Sequence, residues 1–413
     1  MRVLMLGWEF PPFFAGGAGI VCDALARALN DLDVEVTFVM PEGPEKDIEK
    51  LNSKNKLLKV LKANTFKEED EVVKIVKIKT LLSAYTTWDE YSEKYEKLSK
   101  KDKTLGLYGS NLMYEVERFS NNIKHIALSE DFDVIHAHDW TTFLAGIAVK
   151  ELTGKPLVIH VHITEFDKSG GTYANPYIYR VEKEGMLRAD KIIAVSHKIK
   201  DRCIHNYGID PSKIEVVHNA TSPMSDKILK TKRDDEKIVL FAGRITLQKG
   251  PEYFVEAAKL VNSINPHVRF VVAGSGDKLE SMKAKVNEAG LNNNFEFLGF
   301  FTRDQAEEIF SNADVFVMPS ISEPFGVVPY EAQIKKTPTI ISKQSGISEI
   351  LDHTLKVDFW DVKDIANKIL ALIYYKDLHL EIQEKGYYEA KNTTWELPAS
   401  KCLNIYRSMV ELK

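Results

Sequence analysis

The stretch DVFVMPSISEPFGVVPYE, residues 314–331, contains the unit from which the whole chain is built. Val315–Pro319 is a short apolar run rich in β-branched residues and without polar alternation, which predicts a strand buried on both faces. A proline- and glycine-containing loop follows, and then a helix. Glu323 lies in that loop and Glu331 one or two turns into the helix, with seven residues between them. Loop and helix N-terminus offer backbone donors, and the two carboxylates offer acceptors for sugar or ribose hydroxyls. Helix capping alone is the plainer alternative for such a pair.

The same strand–helix unit recurs on either side. Upstream, the predicted strands are Arg2–Gly7, Val34–Met40, Asp133–His138, Leu157–His162, Lys191–Ser196, Ile214–His218, Ile238–Gly243, Val268–Gly274 and Phe295–Leu298; downstream comes Thr339–Ser342. Between them lie helical stripes such as Val21, Ala24, Leu25, Ala28, Leu29 and Leu32, or Phe254, Ala257, Ala258 and Val261. Alternation of this kind through a whole chain predicts doubly wound α/β architecture. Eleven strands exceed what one such sheet needs. Thr221–Lys237 is polar, charged and without an apolar face, so it is read as a linker between two lobes. The tail from Thr393 carries Trp395, Leu397, Cys402, Ile405, Tyr406 and Met409 at helical spacing, which predicts a closing helix packed on the body.

Composition narrows the function classes. The chain has 413 residues, 44% of them hydrophobic and 28% charged, which excludes general disorder. Fifty-five basic against 60 acidic residues give a net charge of -5, contrary to a dedicated nucleic-acid binder. Cys22, Cys203 and Cys402 are odd in number and far apart, which argues against a disulfide scaffold and fits a reducing cytoplasm. The apolar start Arg2–Phe10 is too short for a signal peptide or a membrane span and reads as a buried first strand.

Glu42–Asp131 departs from the repeating pattern. It is lysine-rich, has one strand-like stretch at Val72–Lys79, and is otherwise read as helical. Within it, Lys50–Lys67 interleaves lysines with Leu51, Leu57, Leu58 and Leu61. A solvated helical face over an apolar stripe is the expectation; contact with a membrane surface or an anionic acceptor is the alternative.

In open α/β sheets, ligands sit beyond the carboxyl ends of the strands, and the unusual residues fall there. The first strand leads to Glu9-Phe-Pro-Pro and then to Gly16 and Gly17 before a helix, where backbone N–H groups can approach a phosphate. A dinucleotide fingerprint is not satisfied, since G-x-G-x-x-G is missing. His136 with His138, and His160 with His162, share strand faces by alternation. These pairs are open to three readings: buried strand histidines, a metal site, or sugar-contacting groups. Gly243-Arg244 ends a strand and Lys249-Gly250 opens the next helix, a guanidinium and an ammonium suited to clamping a diphosphate without metal.

Together these residues resemble the GT-B glycosyltransferases of family 4 and, more distantly, the family 5 glycogen and starch synthases. The resemblance rests on Glu9-Phe-Pro-Pro with Gly16-Gly17, His136-Ala-His138-Asp139-Trp140, His162 through Gly170, Ala194-Val-Ser196, and Val216-Val-His-Asn219. Gly243-Arg244 with Lys249-Gly250, Ala273-Gly-Ser-Gly276, the Glu323–Glu331 segment and Ser345-Gly346-Ile-Ser-Glu349 complete it. It implies two Rossmann-like domains whose parallel sheets face a cleft: residues 1–222 on the acceptor side with an insert at about 42–131, 223–392 holding the donor, and 393–413 a helix crossing back.

The activity so implied is retaining transfer of a sugar, glucose first among the candidates, from a nucleotide-diphospho-sugar such as UDP- or ADP-glucose to a glycan acceptor, with no metal or other cofactor. Arg244 and Lys249 would neutralise the leaving diphosphate, Glu323 would contact the donor sugar and Glu331 the ribose. Gly16, Gly17, Gly243, Gly274, Phe325, Gly326 and Val327 would complete the donor site. His162 and His138 would face the sugar, with Glu9, Asp139 and Glu165 on the acceptor side. Ala15 stands where family 5 has lysine, and Ile334-Lys335-Lys336 where a small residue, cysteine and glycine are usual. The alternatives are a lipid- or small-molecule-directed transferase, and, from another class, a metal-dependent hydrolase using the histidine pairs. Asp31-Leu-Asp33 and Asp131-Phe-Asp133 spell the metal-binding triplet of the other glycosyltransferase fold but precede strands, so they are read as turns.

Overall fold

The computed structural model describes residues 1–10, 17–41, 58–62, 112–171, 173–221, 224–225, 227–232 and 236–411. Their strands form two sheets. The first contains β1 (Arg2–Leu6), β2 (Glu35–Met40), β3 (Leu58–Lys62), β4 (Val134–His138), β5 (Leu157–Val161), β6 (Lys191–Ala194) and β7 (Ile214–Val216). The second contains β8 (Lys237–Ala242), β9 (Val268–Ala273), β10 (Phe295–Gly299), β11 (Val315–Met318), β12 (Thr339–Ser342) and β13 (Leu355–Val357). Their orders are β3-β2-β1-β4-β5-β6-β7 and β10-β9-β8-β11-β12-β13, every pairing parallel. All eleven predicted strands are present. The central runs are buried on both faces because helices cover both sides of each sheet, whereas the edge strands β7 and β10 leave Glu215, Glu296 and Leu298 exposed.

Two strands were not anticipated. The lysine–leucine segment expected as a helical face contributes β3 instead, in register with β2 from Val36↔Leu58 to Met40↔Lys62. Leu58 is buried and Lys59 exposed, and Lys59 Nζ lies 2.6 Å from Glu130 Oε1. An edge strand leaves one side unpaired, where an exposed residue such as Lys59 is tolerated. The rest of Lys50–Lys67, Val72–Lys79 and most of the insert lie outside the described residues. β13 has only three residues and, unlike β7, is followed at once by an aspartate instead of a further apolar residue, so no apolar run marks it.

The helix Gly17–Asp31 buries Val21, Cys22, Leu25, Ala26 and Leu29 against the first sheet. On that same face lies the helix Glu396–Val410, the last of the chain. Its Ala399, Cys402, Tyr406 and Met409 join Val3, Met5, Val36 and Phe38 in one apolar cluster. Tyr406 is fully buried there, and its hydroxyl lies 2.7 Å from His136 Nδ1. The second sheet is covered by the helices Pro251–Ile264 and Val362–Tyr374 on one side. Residues 225 and 227 of the linker are held by a buried lysine: Lys335 Nζ donates to their carbonyls at 2.7 and 2.9 Å and meets Glu307 Oε2 at 3.0 Å. Lys336 has φ +57°, the conformation that explains the glycine usual there.

In each sheet the strand order reverses beside the first strand, between β1 and β4 and between β8 and β11. Crevices at such switch points are where open α/β sheets receive ligands. Bonds between the lobes bring the two crevices together. Ser196 Oγ donates to the Pro324 carbonyl at 2.6 Å, and Ser322 Oγ donates to Asp167 Oδ1 at 2.8 Å.

Candidate active site

A cavity of about 240 Å³ lies between the lobes, walled by His162 and Ile163 from the first and by Gly243, Arg244, Lys249 and Glu323–Val328 from the second. Arg244 follows β8 after Gly243. Lys249 ends the turn Leu247–Lys249 that precedes the helix Pro251–Ile264, so both cations stand at the carboxyl edge of the sheet. Glu323 is buried, and its carboxylate forms an ion pair with the Lys249 ammonium. Its backbone is fixed too: Glu323 N–H donates to Gln344 O at 3.1 Å and Gly346 N–H to Glu323 O at 2.9 Å. Gly326 has φ +93°, and a Cβ there would lie 2.8 Å from Glu323 Cγ, so the glycine admits the carboxylate.

Gly274 lies behind this wall. Its φ is +141°, and a Cβ there would stand 1.8 Å from the Gly243 carbonyl oxygen. The approach matters because Gly243 N–H donates to Ala273 O and Gly274 N–H to Gly299 O, tying the ends of β8, β9 and β10 together. Gly274→Ala should therefore destabilise the second lobe by about 3 kcal/mol or more, combining backbone strain with displacement of Gly243. Denaturant unfolding checks this; a change within about 0.5 kcal/mol, the range of an innocuous surface substitution, would show that the backbone yields freely.

The four strand histidines form a buried stack. His138 pairs in register with His160 across β4 and β5, which puts all four rings on one sheet face. His136–His138 and His160–His162 ring centroids are each 4.2 Å apart, and His138 Nδ1 shares a hydrogen bond with His162 Nε2 at 2.8 Å. Burial, with mutual repulsion as the next cause, lowers His136 to about 3 and His138 and His160 well below the usual imidazole range; burial alone lowers His162 to about 3. The rings are neutral at physiological pH. Neither ring nitrogen of His160 finds a partner among the described residues. Although nitrogens of His136, His138 and His160 lie within 4.8 Å of one another, the ring planes diverge by no more than 34°. In-plane lone pairs of nearly parallel rings run alongside one another and do not converge on an ion, so this geometry argues against the hydrolase alternative.

Asp139 is buried beside the stack with φ +57°, accepting from His162 N–H at 2.8 Å and Ile163 N–H at 3.3 Å. Loss of solvent raises its carboxyl to about 7 against those two bonds. It thus fixes the backbone at the point where His162 enters the cavity. Of the residues singled out in the sequence, the cavity wall gathers His162, Gly243, Arg244, Lys249, Glu323, Phe325, Gly326 and Val327. His138 stands behind His162, while Glu9 and Asp139 are buried near each other under the first-lobe wall. Glu165 opens the short helix Glu165–Lys168, and its N–H donates to Glu182 Oε1 at 2.9 Å. Glu331 sits on the helix Val328–Ile334 beyond the wall, raised to about 7 by burial with Arg303 opposing. Gly17 begins the helix Gly17–Asp31, and Gly16 lies outside the described residues.

Sequence reasoning missed Gln248 and gave Asn219, quoted only within the Val216–Asn219 motif, no place in the site; both are buried and line the cavity. Neither carries charge or glycine geometry that would mark it. A larger hollow of about 480 Å³ beside β10 contains none of the site residues, and its Arg269 is bonded to Glu236 and Glu296. The Asp131 and Asp133 carboxylates bind Arg2 at the start of β1, away from the cleft. No helix among the described residues is long and apolar enough to cross a membrane.

Comparison with known proteins bears on the same two halves. Residues 226–389 match the family model of glycosyl transferases group 1, and residues 95–223 that of glycosyltransferase family 4. An uncharacterized glycosyltransferase of Methanocaldococcus jannaschii is 28% identical across all of this chain and 99% of its own. Glycogen synthase of Mycobacterium tuberculosis is 24% identical over 98% of this chain and 94% of its own. Among solved structures, sucrose-phosphate synthase from Thermosynechococcus elongatus superimposes with a TM-score of 0.75 at 19% identity, each chain covered in full.

Proposed function

Because the chain belongs to the group 1 glycosyltransferases and has the GT-B fold, we propose that it is a retaining hexosyltransferase, moving a sugar, glucose in the leading case, from a nucleotide-diphospho-sugar to a glycan. The proposal includes independence from metal. One observation carries it: two cations, Arg244 and Lys249, share an interlobe cavity with Glu323 and His162. In the absence of donor, Glu323 holds the Lys249 ammonium in the cleft. The donor's diphosphate replaces the carboxylate as partner of that ammonium, which leaves the Glu323 oxygens free to accept from sugar hydroxyls.

Charge then develops where the cations are. The C1–O bond to the diphosphate breaks and its electron pair leaves on the phosphate, which Arg244 and Lys249 stabilise. The acceptor hydroxyl attacks C1 from the face of departure and passes its proton to the leaving phosphate oxygen. His162 stands against the electron-poor sugar; His138, through its bond to the His162 ring, and Asp139, through the His162 N–H, are positioning residues. A neutral imidazole suits this place, since a cation there would oppose positive charge on the sugar. Glu331 is assigned to the ribose, and closure of the lobes excludes water.

Incubation with UDP-glucose, ADP-glucose and GDP-mannose in turn, each with a maltooligosaccharide and with EDTA, tests the reading. Release of nucleoside diphosphate and an α-linked product from an α-configured donor are expected. A β-linked product refutes retention, and loss of turnover in EDTA refutes metal independence. Transfer only to lipid or inositol-type acceptors refutes the glucan assignment.

A further inference from the structure

A second cluster of ligand-type side chains lies outside the donor cavity, where the lobes touch. Glu349 ends the turn Gly346–Glu349 after β12. Its Oε2 accepts from His197 N–H at 2.8 Å and its Oε1 from Lys198 N–H at 2.9 Å, both in the first turn of the first-lobe helix His197–Tyr207. His218, just after β7 and before the linker, places Nε2 2.8 Å from Glu349 Oε2. One ligand atom from each of His197, His218 and Glu349 falls within 4.8 Å of the other two. His218 and Glu349 side chains keep 20% and 21% of their exposure, so an ion has access from water.

We propose that His197, His218 and Glu349 form a zinc site that clasps the two lobes together. Two imidazoles, one carboxylate and a water make a four-coordinate set that zinc accepts. Two imidazoles on one tetrahedral zinc, each with its nitrogen at about 2.0–2.1 Å, place their ring centroids roughly 5 Å apart. Here the centroids are 5.8 Å apart, near that spacing, and the planes are tilted by 56°, so their in-plane lone pairs are not held parallel. The buried histidine stack, with nearly parallel rings, lacks that property. The backbone donors on Glu349 serve as the outer contacts that hold a ligating carboxylate in place. The three ligands come from the first lobe, the segment entering the linker, and the second lobe. Bound zinc therefore ties together elements that must separate when the cleft opens. The zinc would take no part in bond making or breaking at the donor cavity, and its binding is measured without donor.

Calorimetric titration of the full chain with zinc chloride, without donor, tests the site. One zinc per chain is expected, together with a higher thermal midpoint. His197→Ala and His218→Ala should each weaken binding by about tenfold or more and abolish the thermal shift, while Cys22→Ser changes neither. Cobalt(II) bound to the unaltered protein should show the intense visible absorption of a four-coordinate ion, a readout that does not depend on any variant folding. The proposal is overturned if binding is not saturable, if it survives both histidine substitutions, or if Cys22→Ser removes it, which would move the ion to the buried stack beside His138 and His162. An octahedral cobalt spectrum also overturns it.

Discussion

Alanine in place of Lys249 should lower donor turnover by about 10²–10³-fold, the range found when one preorganised group facing developing charge is removed. Arg244→Ala should do the same. The loss is expected mainly in kcat, because charge on the bridging oxygen is greatest in the transition state. Removing Lys249 also leaves the buried Glu323 carboxylate without its ion-pair partner, so part of the loss reflects a changed resting site. Glu323→Gln separates the two effects. It keeps the shape of the loop and removes the carboxylate, so diphosphate affinity should hold or improve while turnover falls. Steady-state assays of nucleoside diphosphate release, with direct nucleotide titration, check this. Unchanged kcat in Arg244→Ala and Lys249→Ala would remove both cations from the chemistry.

The second large effect concerns pH. Burial keeps the four stacked imidazoles neutral in the folded chain, with pKa values below the ordinary 6.5. Below pH 6.5 the unfolded chain binds protons that the native one does not, so stability falls on acidification by about 1.4 kcal/mol per pH unit per ring. Three buried carboxyls act the other way. Asp139 and Glu331 are raised to about 7 and Glu182 to about 8, each chiefly by burial. They keep protons that the unfolded chain has already released above about 4.5, so their contribution is present at low pH and is lost as pH rises toward about 8. Between roughly 4.5 and 6.5 four rings nearly balance three carboxyls, and the profile is shallow. Below that window the histidines act alone, at about 5 kcal/mol per pH unit until His136 and His162 begin to charge near 3. Above it the carboxyls act alone, with the opposite slope.

Denaturant unfolding across pH 4 to 8 should therefore show greatest stability at mildly acid pH, with a decline from about 6.5 to 8. Glu182→Gln should flatten that alkaline decline by about half, since Asp139 and Glu331 release their protons near 7 and Glu182 holds its own to about 8. A profile still rising from 6.5 to 8 would contradict the buried-carboxyl account.

The architecture was legible because both sheets are parallel and covered on both faces, so each central strand is a continuous β-branched run. β3 was not, because at an edge Lys59 can face water, and in one dimension a lysine among leucines resembles a charged helix face. Individual site residues were legible as unusual residues at strand ends. Their pairing was not: Lys249 and Glu323 are 74 positions apart, and only the adjacency of β8 and β11 brings their loops together. The histidine pairs could be assigned to common faces from alternation, but the single stack depends on the β4–β5 register, which places His138 opposite His160. The lysine at 335, a departure from the family pattern, has its reason in the linker carbonyls of Ser225 and Lys227 that its ammonium binds.

The direct measurement is a structure determined with nucleoside diphosphate bound. In it, the β-phosphate should lie between the Arg244 guanidinium and the Lys249 ammonium, at hydrogen-bonding distance from both, with Glu323 released from the lysine. A diphosphate seated elsewhere, with the Lys249–Glu323 pair intact and Arg244 turned away, would contradict the account whatever the enzyme's activity.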